Sequence, residues 1–182
     1  MAHKKKYLTK TQLTKKLASI KALILDVDGV LTDDRLYVGP SGFELKNFHI
    51  GDGLAIVLAM KSGLEIIIMS NRHSPATTTR MKDLGVKHVI QERGDKARLV
   101  REYLSKNKLD INLNKTAFIG NDIMDVPLAK EVGIGICVND AYPELKEVAD
   151  FVTTNKGGYG AVREILEFYF KGRGEKTSDY LW

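Results

Sequence analysis

The sequence predicts an α/β fold built on a doubly wound parallel sheet. Three observations predict it. Short apolar runs recur along the 182 residues, at 22–25, 64–69, 86–90, 116–119, 134–138 and 151–152. Stretches with helical spacing lie between most of them, which implies right-handed crossovers and a sheet covered on both faces. The first run ends in two carboxylates, Asp26 and Asp28, at the kind of strand end where open α/β sheets bind ligands.

Taken in order, the elements begin with a basic segment. Residues 1–16 hold six lysines and no acid, so a net charge of +5 leaves the rest of the chain at −1. Basicity confined to one end predicts a frayed terminus or the outer face of a short first helix, with no nucleic-acid partner. Residues 23–25 are continuously apolar and read as a buried strand. Residues 36–48 read as a β-hairpin around Gly39-Pro40-Ser41-Gly42, projecting from the ligand edge as a lid or an oligomer contact. Leu54, Val57, Leu58 and Met60 share a helical face, with Gly63 as the stop. Ser74 and Pro75 open the next helix and Gly85 ends it. Ala97, Val100, Arg101 and Leu104 mark a third, and residues 172–182 are left as a C-terminal tail.

The length fits one domain, 1–182, with mass enough for a proper core. No apolar stretch approaches the roughly 20 residues that cross a bilayer, and no signal core follows the basic segment. Cys137, the only cysteine, lies in an apolar run and cannot form an internal disulfide. These features fit a cytoplasmic protein with no membrane partner.

Asp26 and Asp28 repel each other and resist burial unless a cation or a proton separates them. The motif therefore asks for a metal ion, a nucleophile with an acid/base partner, or both; a solvated turn is the plainer alternative. Ser70, Lys96 and Asp122 also fall at strand ends or helix starts, where a parallel sheet could gather them. Ser70 could equally be a turn residue, and Asp122 and Asp125 helix caps. Lys96 is harder to explain away, because a cation in a first helical turn opposes the helix dipole unless anions lie nearby.

The four motifs, 26–32, Ser70, Lys96 and 120–125, resemble those of the haloacid dehalogenase superfamily of phosphatases. Their chemistry is intelligible in itself. Asp26 can attack phosphorus and form an aspartyl phosphate. Asp28 can protonate the leaving alkoxide and then deprotonate water. Oxygens of Asp26, Asp122 and the Asp28 carbonyl suit Mg²⁺, with Asp125 orienting the metal shell. Ser70 and Asn71 can bind phosphoryl oxygens while Lys96 neutralises their charge.

Only 41 residues separate Asp28 from Ser70 and 25 separate Ser70 from Lys96, so no cap domain fits. In detail the chain is similar to the 3-deoxy-D-manno-octulosonate (KDO) 8-phosphate phosphatases, at 26–32, 43–46, Asp52-Gly53 and 157–164. That resemblance implies a hydrolase of KDO and lipopolysaccharide biosynthesis, and a capless homotetramer whose neighbouring hairpins and tails help cover each site. Ser70-Asn71-Arg72 stands where the family more usually has Thr-Gly-Arg, and Asn121 where Asp is commoner. Arg72 can hold a substrate carboxylate bidentately, and the resemblance implies the eight-carbon sugar acid phosphate, since nine-carbon relatives tend to carry glutamate at that position. A related nine-carbon sugar acid phosphate or another small phosphate ester is the alternative. A phospho-aspartate signalling receiver is a remote one.

Overall fold

The structure, a computed structural model, describes residues 7–181. Lys4, Lys5 and Lys6 of the basic segment lie outside them. The remainder of that segment forms helix α1 (Lys10–Leu17), closed by a capping box between Thr9 and Gln12 and buried through Leu13 and Leu17. Strand β1 (Ala22–Leu25) is entirely buried. The hairpin strands β2 (Tyr37–Val38) and β3 (Glu44–Leu45) pair antiparallel, apart from the main sheet. Helix α2 (Ile50–Lys61), strand β4 (Glu65–Ser70), helix α3 (Pro75–Leu84), strand β5 (His88–Gln91) and helix α4 (Lys96–Lys106) follow. Strand β6 (Thr116–Gly120), helix α5 (Val126–Glu131), strand β7 (Ile134–Cys137), helix α6 (Pro143–Val148), strand β8 (Phe151–Val152) and helix α7 (Ala161–Arg173) complete the alternation.

The six main strands lie in the order β5-β4-β1-β6-β7-β8, and every pairing is parallel. The order reverses beside β1, the crevice where doubly wound sheets receive ligands. Helices α1, α2, α3 and α7 pack as one layer, and α4, α5 and α6 as another. Register fixes the site. Leu25 lies level with Ile68 of β4 and Ile119 of β6, so all three strands end at one edge.

Strand β5 starts two residues later than its apolar run. Gly85 caps α3 at φ +75°, and the Val86 N–H donates to the Met81 carbonyl, which closes the helix end before the strand can begin. The expected tail from residue 172 begins as the last turn of α7, which Gly174 ends at φ +73°. Thr177–Tyr180 then turns back along α2 of the same chain, with the Tyr180 ring 5.6 Å from that of Phe170.

Candidate active site

Asp26 follows β1 directly, and its N–H donates to the Ile119 carbonyl at 3.1 Å, continuing the ladder by one rung. The chain then turns sharply. Three N–H groups, from Val30, Leu31 and Thr32, converge on the Val27 carbonyl. Gly29 sits at φ +79°, and a Cβ there would lie 1.9 Å from Asn121 Nδ2. The positive φ calls for glycine, and any Cβ would also have to displace the Asn121 amide. Gly157 presses on the same turn: its own Cβ would stand 1.7 Å from the Gly29 oxygen, and the Gly158 N–H donates to the Val30 carbonyl. The loop before α7 thereby braces the acidic turn. Asp52, buried on α2, accepts the N–H groups of Gly160 and Arg163 and fixes that loop in turn.

Lys96 is the first residue of α4, capped by Asp95, and is only 2 % exposed. Its Nζ lies 2.9 Å from Asp26 Oδ1 and also hydrogen-bonds Asp125 Oδ1. Asp125 is fully buried, and its other oxygen accepts the N–H groups of Asn121 and Asp122. Two buried carboxylates thus offset the cost of a buried lysine at a helix N-terminus. Burial weakens the Lys96 ammonium, but Asp26 and Asp125 outweigh it and raise its pKa. For Asp26 the balance falls the other way. Burial pushes its carboxyl up to about 7 against the pull of Lys96, with Asp125 adding repulsion.

Asp26 and Lys96 face a cavity of about 270 Å³, lined also by Asp28, Asp34, Ser70, Asn71, Arg72, Arg93, Asn121, Asp122 and Met124. All the sequence-derived site residues except the buried Asp125 line it. A larger hollow, about 330 Å³, opens at the other end of β4 beside Lys61, Glu65, Lys87 and His88, far from this convergence. Size does not select the site; convergent chemistry does.

Individual placements are informative. The Ser70 hydroxyl accepts the Arg72 N–H at 3.2 Å and donates to the Arg72 carbonyl, so it shapes its own loop as the turn alternative expected. Both amide atoms of Asn71 are buried without a hydrogen-bond partner, as is Asn121 Oδ1. Orphaned polar atoms are costly and mark places for an absent ligand. Asp28 is ion-paired with Lys46, and the Arg72 guanidinium with Glu44.

Those last two partners, with Arg93 and Asp34, were not assigned from sequence. Glu44 and Lys46 carry a readable signal, two charges at strand spacing turned opposite to Phe43 and Leu45. Asp34 takes φ +61°, and its carboxyl is raised first by burial and then by Asp28, Asp122, Asp140 and Asp33. Arg93 gives no signal in sequence, because only the fold brings it to the rim.

The donors fit a hard divalent cation. Asp26, Asp28 and Asp122 line the cavity with oxygen donors, and the unpartnered Asn121 Oδ1 shows acceptor capacity unused by the protein. Among the described residues no group of three or more His, Cys, Asp or Glu side chains is arranged to hold a metal. Such a sparse set suits Mg²⁺, which keeps several of its waters.

The chain is similar to known proteins over most of its length. A family model described as haloacid dehalogenase-like hydrolase matches residues 77–166. The chain is 38% identical over 165 residues to the 3-deoxy-D-manno-octulosonate 8-phosphate phosphatase of Salmonella typhi, covering 91% of this chain and 87% of that one. The Moraxella catarrhalis phosphatase of the same name, solved with magnesium, phosphate and KDO, superposes with a TM-score of 0.85 at 34% identity, covering 90% of this chain and 93% of that one. The cobalt-bound Haemophilus influenzae phosphatase gives 0.83 at 34% identity, covering 92% and 96%.

Proposed function

Since this chain belongs to the haloacid dehalogenase superfamily, and within it to the 3-deoxy-D-manno-octulosonate 8-phosphate phosphatases, we propose that it hydrolyses that sugar-acid phosphate to KDO and phosphate through an aspartyl phosphate on Asp26. One observation carries the reading: Asp26, buried and ion-paired to Lys96, follows β1 into a cavity that also presents Asp122 and the unpartnered Asn71 amide.

The steps follow from the residues. Asp26 attacks phosphorus, and the bond to the sugar oxygen breaks as Asp28 gives that oxygen its proton. Asp28 then takes a proton from water, which attacks the aspartyl phosphate, frees phosphate and restores Asp26. Lys96, Asn71 and Ser70 meet the phosphoryl oxygens, and the Ser70 hydroxyl also holds the loop that presents Asn71. Asp26, Asp122 and the Asp28 carbonyl, with Asp125 behind them, would hold Mg²⁺, which would supply positive charge to those oxygens. Asp125 positions Lys96 and the Asn121–Asp122 backbone.

In this reading Arg72 binds the substrate carboxylate, which separates the eight-carbon acid from phosphate esters without one. The enzyme works as a homotetramer in the cytoplasm, with no nucleic-acid or membrane partner. Among the described residues no helix is long and apolar enough to cross a membrane.

The test is a phosphate-release screen over sugar phosphates, run with Mg²⁺ and after chelation, on the wild type and on Arg72→Ala. Chelated enzyme should be silent and Mg²⁺ should restore it. Arg72→Ala should lose roughly 30-fold in kcat/KM on the sugar acid, the worth of a charged hydrogen bond of about 2 kcal/mol. It should barely change on an aryl phosphate. Equal losses on both would assign Arg72 to the phosphate or the fold.

A further inference from the structure

Strand β3 and the residue after it alternate charged and apolar side chains, and the charges turn inward. Lys46 reaches Asp28 while Glu44 reaches Arg72 (residues 28 positions apart in sequence) and so crosses from the hairpin to the loop after β4. Both oxygens of the Glu44 carboxylate are engaged. Oε2 accepts from Arg72 Nη2, and Oε1 accepts from the Ser74 hydroxyl. The Glu44 side chain is only 12% exposed, whereas that of Arg72 is 40% exposed, so the pair is half open to water.

Ser74 is the N-cap of α3, and the Thr77 N–H donates to its oxygen at 3.2 Å. The Glu44 carboxylate therefore also rests near the positive end of a helix. Burial pushes the Glu44 carboxyl up, but the Ser74 hydroxyl, Arg72 and Lys46 outweigh it and hold it below the usual carboxylate range. An ionised carboxylate thus already sits on an arginine that lines the cavity.

We propose that Glu44 is a specificity-determining residue whose carboxylate occupies the Arg72 guanidinium until a phosphate ester bearing its own carboxylate displaces it. The proposal rests on the reading of Arg72 as the group that binds the substrate carboxylate. The exchange is chemically even, since one carboxylate leaves the guanidinium as another arrives. Arg72 is never left half-buried without an anion. Glu44 is not stranded either, because the Ser74 hydroxyl and the α3 N-terminus still hold it. A phosphate ester without a carboxylate leaves the Glu44–Arg72 pair intact and gains nothing from it. The exchange breaks one of the two ion pairs between the hairpin and the site, while Ser74 and the Lys46–Asp28 pair keep the hairpin in place.

The experiment compares Glu44→Gln, Arg72→Ala and the double variant, each as the full Mg²⁺-loaded chain, on KDO 8-phosphate and on p-nitrophenyl phosphate. Glu44→Gln weakens the resident competitor. It should lower KM for the sugar acid about threefold or more, the order expected when a partly exposed ion pair is lost. KM for the aryl phosphate should stay put, and the gain should vanish in the Arg72→Ala background. An unchanged or raised KM for the sugar acid in Glu44→Gln overturns the proposal. So does an equal gain on both substrates, which would mark a general release of negative charge, or a gain that survives without Arg72. If Arg72→Ala alone discriminates against the sugar acid but Glu44→Gln gives no gain, only this proposal fails. If Arg72→Ala does not discriminate, the reading of Arg72 fails with it.

Discussion

Asp26 is held where a carboxylate is least at ease. It is 6% exposed, and burial raises its carboxyl to about 7 despite an ammonium at 2.9 Å. A raised pKa means that the folded state binds this proton more tightly than the unfolded state does. Folding stability is therefore lost as pH climbs from the ordinary 3.8 through about 7, and the deficit is complete above that. Asp26→Asn has no such proton to lose. With chelator present, its melting temperature should exceed that of the wild type by a margin that widens across this window and then levels off. Mg²⁺ should close the margin in the wild type, because a ligand that binds only the folded state stabilises it. The same variant should lose turnover, since an amide is a poor nucleophile. Thermal unfolding at a series of pH values checks this; a margin independent of pH would contradict the burial argument.

At the scale of elements, the hairpin is the part whose surface does not suit water. Tyr37, Val38, Phe43 and Leu45 are each more than half exposed, while Glu44 and Lys46 turn toward the site. A strand pair that shows its apolar face outward and its charges inward is built to be covered. Leu54 and Tyr159 extend the exposed apolar groups onto α2 and the loop before α7. Light scattering at micromolar concentration should therefore report an oligomer, with four subunits expected. A particle of 20.3 kDa would leave this face without a partner of its own kind. The described residues of the tail pack on α2 and α7 of their own chain.

For the whole molecule, sequence reading reached furthest where the parallel sheet does the positioning. Asp26, Ser70 and Asp122 could be gathered in advance because β1, β4 and β6 end in register at one edge. Lys96 was legible because its place at a helix start is unfavourable without anions, and the structure supplies Asp26 and Asp125. Helix α7 was missed although Val162, Ile165, Leu166, Tyr169 and Phe170 repeat at helical spacing and are all buried. The Glu44–Arg72 and Lys46–Asp28 pairs were not legible, since they depend on how the hairpin folds over the edge. The glycines of 157–160 were seen only as a likeness; that Gly157 must leave room for the Gly29 oxygen is a property of packing.

In the proposed mechanism Asp26 carries the phosphoryl group. Asp28→Asn should still accept it from p-nitrophenyl phosphate, whose leaving group needs no proton, and should then stall because water is no longer activated. Rapid mixing of this variant with p-nitrophenyl phosphate and Mg²⁺, followed by acid quench and peptide mass spectrometry, reads the intermediate directly. The account predicts a burst of about one p-nitrophenol per subunit, as an accumulating covalent intermediate requires, with the phosphoryl group on Asp26. A phosphoryl group on another residue, or no burst while Asp26→Asn keeps on the order of a tenth of wild-type turnover, would contradict it.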